Sequence, residues 1–162
     1  MDSYVSKSEL LKRLAAGYQG MSDLLTSIDA VSGSESGAVG YWSVRDVVLH
    51  LVAHAHRAGL EIEYAKQGIV YPAPPCNDDF NLGAVMLSSY LTYAEALAIW
   101  TKSHERVAEI VAALDDADFA EGSAMQQVLD DTIDGALANN TYEHYDEHAP
   151  QILEWLARRR HE

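Results

Sequence analysis

Apolar residues recur at three- and four-residue steps through four long stretches of the chain, and strand-like alternation is almost absent. This spacing is typical of amphipathic α-helices that bury one face. The predicted helices span about residues 6–27, 44–66 and 92–114, and a fourth begins between 125 and 133 and ends near 160. Pro150 lies inside the fourth helix, where we expect a kink or local break rather than the end of the helix. Four long helices predict an all-α, four-helix bundle.

The segments between these helices have the composition of caps and loops. Ser43 can cap the second helix, and Thr92 and Glu95 have the spacing of a capping box before the third. The string "VSGSESGAV" is rich in Gly and Ser and predicts a loop between the first two helices. The string "GIVYPAPPCNDD" cannot be helical throughout because of its prolines, and a short helix is predicted after it, over Phe80–Ser88.

Length and composition fit one globular domain over residues 1–162. The chain is 48% hydrophobic and 22% charged, enough apolar material to bury a core without disulfides or a structural metal. Its formal charge of -14 would repel a phosphate backbone, so no nucleic-acid partner is expected. The N-terminal segment lacks a basic stretch followed by an apolar run, and no stretch is long and apolar enough to cross a bilayer. We therefore expect a soluble, cytoplasmic protein without a membrane partner.

Two histidines in the string "NTYEHYDEH" are the first candidates for a site with chemistry. His144 and His148 are four residues apart, so on a helix both rings leave one face and can reach a single point. A catalytic zinc site usually takes three protein ligands, so a third donor must come from another helix. The string "LHLVAHAHR" offers His50 or His54 on the apolar side of the second helix, whereas His56 points to the opposite face.

By spacing alone, packed core histidines are a more frequent explanation of such a group than a metal site. Four further residues are candidates for contact with a substrate. His54 and Asn140 each lie one helical turn from a candidate ligand. Asp78 and Asp79 can reach the open side of a metal from the Pro-rich connection. For each of the four, a purely structural contact is the competing explanation.

Longer strings around these residues resemble a known family. "YWSVRDVVLHLVAH" is similar to the start of the second helix in DinB-like proteins, where Trp-Ser-Val is followed by a charged residue, an apolar run and a metal-binding histidine. "NNTYEHYDEHAPQILEWL" resembles the last helix of that superfamily. Together with "DDFN", it looks like the ClbS/DfsB branch, which is related to the N-terminal domain of mycothiol-dependent maleylpyruvate isomerase. The resemblance runs from "SKSELLKRL" to "EWLARR", nearly the whole chain.

The resemblance implies a divalent metal, zinc or nickel, held in the bundle by three histidines. Carried over by position, the ligands are His50 from the second helix and His144 and His148 from the last. Two chemistries on a small reactive electrophile are implied: hydrolysis or ring opening by an activated water, and S-transfer or isomerisation by the thiolate of a low-molecular-weight thiol. A third function stays open, a protein that binds or sequesters the same small molecule without turnover, because a fold does not settle function.

Large aromatic residues on the third and fourth helices bear on assembly. One side of a small bundle does not readily bury so many large side chains. The residues are Tyr90, Tyr93, Trp100, Tyr142, Tyr145 and Trp155. Aromatic residues are enriched at interfaces, and two-fold dimers are the commonest soluble oligomers, so we expect a homodimer. The alternative is that these residues fill the core and line the pocket of a monomer.

Overall fold

The computed structural model describes residues 4–74 and 76–160, and Pro75 of the Pro-rich connection lies outside them. Over this part the chain is all-α, as predicted, and contains no β-strand. Its helices are α1 (Lys7–Thr26), α2 (Ala30–Ser34), α3 (Val44–Lys66), α4 (Asn77–Ser88), α5 (Tyr93–Ala112), α6 (Ala124–Leu129), α7 (Ile133–Ala138) and α8 (Tyr142–Arg159). A 3₁₀ turn, Asp116–Phe119, lies between α5 and α6. Within the described residues, no helix combines the length and apolarity of a membrane span.

The four long helices α1, α3, α5 and α8 pack together as a bundle, which confirms the predicted architecture. α3 lies along α5, and α1 lies against both α5 and α8. Two clusters of apolar side chains fill the interior. One is built around Trp100, Tyr145 and Ile152, and the other around Leu14 and Ile62. Because these side chains are nearly inaccessible to water, their burial is the main favourable contribution to holding the helices together.

A glycine sets the distance between α1 and α8. A Cβ atom built at Gly17 would lie 2.4 Å from the Cβ of Tyr142, closer than two carbon atoms approach without a bond. A residue without a side chain therefore lets the first turn of α8 sit directly on α1. That same turn carries His144, so the close approach also fixes the position of this histidine.

Side-chain caps begin α3 and α5 where the sequence predicted them. The hydroxyl of Ser43 accepts the N–H of Asp46, and the carboxylate of Asp46 accepts the N–H of Ser43 at 2.8 Å. Thr92 and Glu95 form the same reciprocal pair before α5. Each pair satisfies two backbone N–H groups that a helix start would otherwise leave unpaired, so the start of α3 at Val44 is confirmed.

Two connections contain more helix than predicted. The loop prediction is wrong for residues 31–34, which belong to α2. Asp29 caps this short helix by accepting the N–H groups of Val31 and Ser32 at 3.0 Å. α4 begins at Asn77, three residues before the predicted start at Phe80. Two acidic residues in its first turn interact favourably with the positive end of the helix dipole. This interaction stabilises a helix that starts earlier than predicted.

The single fourth helix that the sequence predicted is divided into α6, α7 and α8. Asp130 ends α6 in the left-handed conformation, with φ of 53°, and Thr132 then caps α7 through its hydroxyl. At the end of α7, the side chains of Asn139, Asn140 and Thr141 donate to carbonyl groups of the preceding turn. Short polar side chains of this kind compete with the backbone for hydrogen bonds and interrupt a helix without disturbing its apolar periodicity.

Most of the aromatic residues that prompted the homodimer prediction lie inside one chain. Four are buried, namely Tyr93, Trp100, Tyr145 and Trp155. Tyr142 is partly buried, whereas Tyr90 is 86% exposed. Most of these side chains therefore fill the core of one chain, which is the alternative explanation given above. The homodimer stays a prediction.

Candidate metal centre

Three histidines from two helices meet in the interior between α3 and α8. His50 lies on α3, and His144 and His148 lie one turn apart on α8. Their exposed fractions are 4%, 8% and 9%. One ligand atom from each lies within 4.8 Å of the others. The structure thus brings together the three histidines that the sequence predicted as ligands.

Helix geometry explains this convergence. Residues four apart on α8 leave the same face. As predicted, α8 does not end at Pro150, and the expected kink there stays a prediction. Glu143 and Glu147, each one residue before a histidine, are rotated away by about 100° and are exposed. The histidine face of α8 is therefore its inward face, and it meets His50 on the buried side of α3.

The nitrogens of His50 and His144 are spaced as they would be around a shared ion. Their Nε2 atoms are 3.0 Å apart, and the two rings meet at 80°. Two imidazole nitrogens bound to one tetrahedral zinc ion at about 2.0–2.1 Å lie about 3.3 Å from each other. The ligand nitrogens of all three histidines lie within 4.8 Å of one another. A shift of the His148 ring on the order of 1 Å would therefore bring its nitrogen to the spacing of a shared zinc ion.

Hydrogen bonds alone do not satisfy this cluster. A single proton between the two Nε2 atoms can make one hydrogen bond. The Nδ1 atoms of His50 and His144 are buried and find no partner in the described part of the chain. Without a cation, one Nε2 must donate to the other, and only one of the two rings then accepts at Nε2. A divalent cation would accept both Nε2 lone pairs at once, with the proton of each ring on Nδ1, so the residues present fit a metal.

Burial keeps the three imidazoles neutral. It lowers the pKa of His50 to about 3, and repulsion from His54 and His144 adds to the effect. The pKa of His144 is lowered to about 3, first by burial and then by repulsion from His54 and His148. Burial also lowers the pKa of His148. Neutral imidazole is the form that binds metal, so burial favours the protonation state that a ligand needs.

Gln151 fixes the ring of His148 and was not predicted from the sequence. Its side-chain oxygen lies 2.8 Å from His148 Nδ1. An amide oxygen can only accept, so Nδ1 carries the proton and Nε2 keeps the lone pair that a metal needs. Hydrogen bonds of this kind orient metal-binding histidines. The signal that could have found Gln151 is its position three residues after His148, one turn along the same face.

His54 forms a second polar layer beside the triad. Its Nδ1 lies 3.2 Å from Asn140 Oδ1, and its Nε2 lies 2.9 Å from Asn81 Oδ1. Asn140 donates its amide nitrogen to the carbonyl of Ala136, so its oxygen is the acceptor for His54. The centroid of the His54 ring is 4.7 Å from that of His144. His54 and Asn140 thus adjoin the triad, and their contact with a substrate stays a prediction.

Arg57 completes this layer, and sequence reasoning missed it. Its NH2 group donates to Asn140 Oδ1 at 3.1 Å, and its guanidinium carbon lies 5.0 Å from the centre of the Phe80 ring. Its Nε lies 3.6 Å from Glu61 Oε1. Arg57 stands three residues after His54, so both side chains leave the same face of α3, and this spacing is the signal that could have found it.

α4 covers the histidine face of α3 with side chains other than those predicted. The Phe80 ring meets the His54 ring at right angles with centroids 5.1 Å apart, and Asn81 contacts the same histidine. Asp78 and Asp79 are exposed in the first turn of α4. Their proposed contact with a substrate stays a prediction. Since α4 packs chiefly on α3, it acts as a cover over this part of the site.

No family model, curated protein or solved structure matched the chain. The resemblance to DinB-like proteins therefore rests on the sequence strings, and the all-helical bundle with its buried three-histidine group is consistent with it. What the site can do follows from its own donors. Three neutral imidazoles suit borderline cations such as zinc and nickel better than calcium or magnesium, which prefer oxygen ligands.

Proposed function

We propose that this chain is a DinB-like protein of the ClbS/DfsB branch that binds one divalent cation, zinc or nickel, through His50, His144 and His148. The observation that carries the proposal is the convergence of three buried imidazoles from two helices, with two Nε2 atoms 3.0 Å apart. Three protein donors leave a coordination position for another ligand, which is the arrangement of catalytic rather than structural zinc sites. The activity we propose is turnover of a small reactive electrophile.

A bound cation of this kind supplies Lewis-acid polarisation and a nucleophile that is reactive near neutral pH. The surrounding residues orient the ligands and limit water. Gln151 fixes the ring of His148, and Phe80 shields the side that α4 covers. His54 Nδ1 donates to Asn140 Oδ1, and its Nε2 contacts Asn81 of α4. A polar atom of the substrate would take the place of Asn81 at this nitrogen. Two reactions fit this setting, hydrolysis or ring opening by water and S-transfer from a low-molecular-weight thiol.

The cover formed by α4 supports a second candidate function. All three histidines are buried, and Phe80 and Asn81 lie between His54 and the exposed face of α4. A site closed in this way can retain a reactive molecule without converting it. We therefore keep a binding or sequestering protein as the alternative, with the same three histidines and the same class of ligand.

Product counting separates these functions. Protein loaded with Zn²⁺ or Ni²⁺ is mixed with excess styrene oxide, with and without cysteine, and products are followed by mass spectrometry. Hydrolysis gives the diol without a thiol, and S-transfer gives the thioether only when cysteine is present. Either activity should exceed one product per chain and be lost on chelation and in His148→Ala.

The matched control is His56→Ala, which removes an exposed histidine of α3. It should keep both metal and activity. Retention of one equivalent of epoxide with no product, in protein shown to contain metal, would support the binding function instead. Product formation that persists in metal-free protein would contradict a metal-dependent enzyme.

A further inference from the structure

Arg57, like Arg45, is a largely buried arginine of α3 without a carboxylate at close range. Its side chain is 16% exposed, and Glu61 Oε1 lies 3.6 Å from its Nε. By contrast, Lys66, Arg106 and Arg158 each lie 3.0 Å or less from a carboxylate oxygen. The chain carries 25 Asp and Glu against 11 Lys and Arg, so acidic partners are in excess. A largely buried arginine that has no carboxylate at close range needs a physical explanation.

Much of the hydrogen-bonding capacity of this guanidinium is not used inside the chain. Of its five N–H donors, NH2 bonds Asn140 Oδ1 at 3.1 Å, and NH1 reaches Asn77 Oδ1 at 3.5 Å, the limit of a hydrogen bond. Nε is buried and makes no hydrogen bond within the described residues. Burial raises the pKa of Glu61, and its carboxylate lies 3.6 Å from Nε, beyond hydrogen-bond distance. A buried cation in these surroundings is stabilised when a ligand supplies an anion.

The position of Arg57 links it to the histidine cluster. Asn140 Oδ1 accepts from Arg57 and from His54, so the two side chains share one acceptor. The His54 ring in turn lies 4.7 Å from the His144 ring, measured between centroids. Phe80 packs against the guanidinium at 5.0 Å and holds its plane. A small molecule whose reacting end lies at the triad can therefore place another group on Arg57.

We propose that Arg57 binds a carboxylate group of the molecule on which this site acts. The carboxylate would accept from Nε and NH1 of Arg57, replacing the long contact with Asn77 and the ion pair with Glu61. A chain with a net charge of -14 repels anions in general, and a fixed guanidinium offsets that repulsion locally. The inference rests on the proposed function for the reacting end of the molecule, whereas the carboxylate contact itself requires Arg57. The carboxylate can belong to the electrophile or to the thiol.

Probe pairs that differ in charge test this inference. With Co²⁺-loaded protein, visible absorption reports binding of 3-mercaptopropionate and of its neutral counterpart 3-mercaptopropionamide. Calorimetry with propionate and propionamide makes the same comparison without a thiol. We expect the wild-type protein to bind the carboxylate member of a pair about 10- to 100-fold more tightly, the effect of a charge-assisted hydrogen bond. In Arg57→Gln the ratio should fall to near one, with affinity for the neutral probes unchanged.

Variants on the same helix separate recognition from structure. Arg45 is also largely buried, and its NH1 donates to the carbonyl of Leu91, so Arg45→Gln is the matched control and should keep the preference. Arg57→Lys should keep part of the preference and shows whether the charge suffices. Glu61→Gln removes the competing carboxylate and should increase the preference. An equal loss of affinity for charged and neutral probes in Arg57→Gln would indicate a purely structural role and overturn the inference.

The two proposals fail in different ways. If the protein binds no cobalt, the metal proposal is wrong, and the propionate pair on metal-free protein still decides the role of Arg57. If cobalt binds and wild-type protein shows no preference in either pair, the role of Arg57 alone is overturned. A preference in the propionate pair shows that Arg57 binds a carboxylate without help from a thiol, and a preference confined to the thiol pair shows that the thiol must be bound as well.

Discussion

Two histidine environments in this bundle, one partly buried and one buried, differ in how the rings are satisfied. Between α1 and α5, His104 stacks on Tyr18 with ring centroids 4.0 Å apart and planes inclined by 7°. Tyr18 in turn stacks on Trp100 at 5.6 Å. Between α3 and α8, the rings of His50 and His144 meet at 80° with their Nε2 atoms 3.0 Å apart. The first arrangement presents ring faces to each other, and the second presents nitrogens.

The difference shows that burial alone does not mark a metal site. Burial lowers the pKa of His104 just as it lowers the pKa of His50. At His50 repulsion from neighbouring imidazoles adds to this effect, because the nitrogens converge. The His104 ring stacks on Tyr18, and this packing explains its position without a ligand. The Nε2 atoms of His50 and His144, by contrast, converge as two ligands of one cation would, with the proton of each neutral ring on Nδ1.

The largest expected difference between the two environments is in metal affinity. His50→Ala, His144→Ala and His148→Ala should each weaken Zn²⁺ binding by more than about 100-fold, because each removes a direct ligand. His104→Ala should bind the metal like the wild-type protein. Competition with a chromophoric chelator measures both constants. Wild-type affinity in any one triad variant would remove that residue from the site.

Acid should weaken the metal-free fold through the triad. In the unfolded chain these imidazoles have a pKa of about 6.5. In the folded chain the pKa values of His50 and His144 are lowered to about 3. Between these limits the unfolded state binds protons that the folded state does not. The free energy of unfolding should therefore fall as pH falls from about 6.5 toward about 3, by up to about 1.4 kcal/mol per pH unit for each histidine.

Urea unfolding of metal-free protein at pH 7.5, 6.0 and 5.0 measures this slope. The double variant His50→Asn/His144→Asn should have a shallower slope than the wild-type protein. His56→Asn, at an exposed position of α3, should keep the wild-type slope. An unchanged slope in the double variant would show that the triad does not carry the pH dependence.

A smaller effect is expected from the residue that orients a ligand. Gln151→Ala removes the acceptor for His148 Nδ1 and should weaken metal binding by about 10-fold, as loss of such outer contacts commonly does. Gln127→Ala is the control, since this glutamine lies on α6 and donates to the carbonyl of Gly122. Equal metal affinities of the two variants would mean that Gln151 does not orient the ligand.

The smallest effect belongs to the stacked histidine. His104→Ala should lower the free energy of unfolding by about 1 kcal/mol, the contribution of an aromatic pair beyond its apolar area. Chemical unfolding at pH 7.5 measures it, with Lys102→Ala as an exposed control on the same helix. If His104→Ala instead lowered metal occupancy, the contrast between the two environments would be lost.

The sequence predicted the bundle because apolar periodicity and capping residues act locally. α3 begins behind the Ser43 cap as predicted, and its inward face carries His50. The division of the fourth helix was missed because Asp130 and the Asn139–Thr141 segment act through side-chain hydrogen bonds that periodicity does not register. The helix count around the site was therefore less predictable than the inward faces.

The three histidines were predictable from spacing and resemblance, but their surroundings were not. Arg57 and Asn81 meet the site through pairings between elements distant in sequence, and no short-range pattern marks such pairings. Asp78 and Asp79 drew attention because they are charged, yet they are exposed, and the next two residues of α4 contact His54 instead. Which face of a short helix meets the bundle depends on packing rather than on charge.

The metal ligands can be identified by X-ray absorption at the metal edge of Zn²⁺-loaded protein, combined with metal quantification. We expect about one zinc per chain, with three imidazole nitrogens at about 2.0–2.1 Å. We also expect His148→Ala to remove the metal and His104→Ala to leave the spectrum unchanged. A first shell containing sulfur, a shell without imidazole scattering, or protein that binds no stoichiometric metal would contradict the assignment of His50, His144 and His148 as ligands.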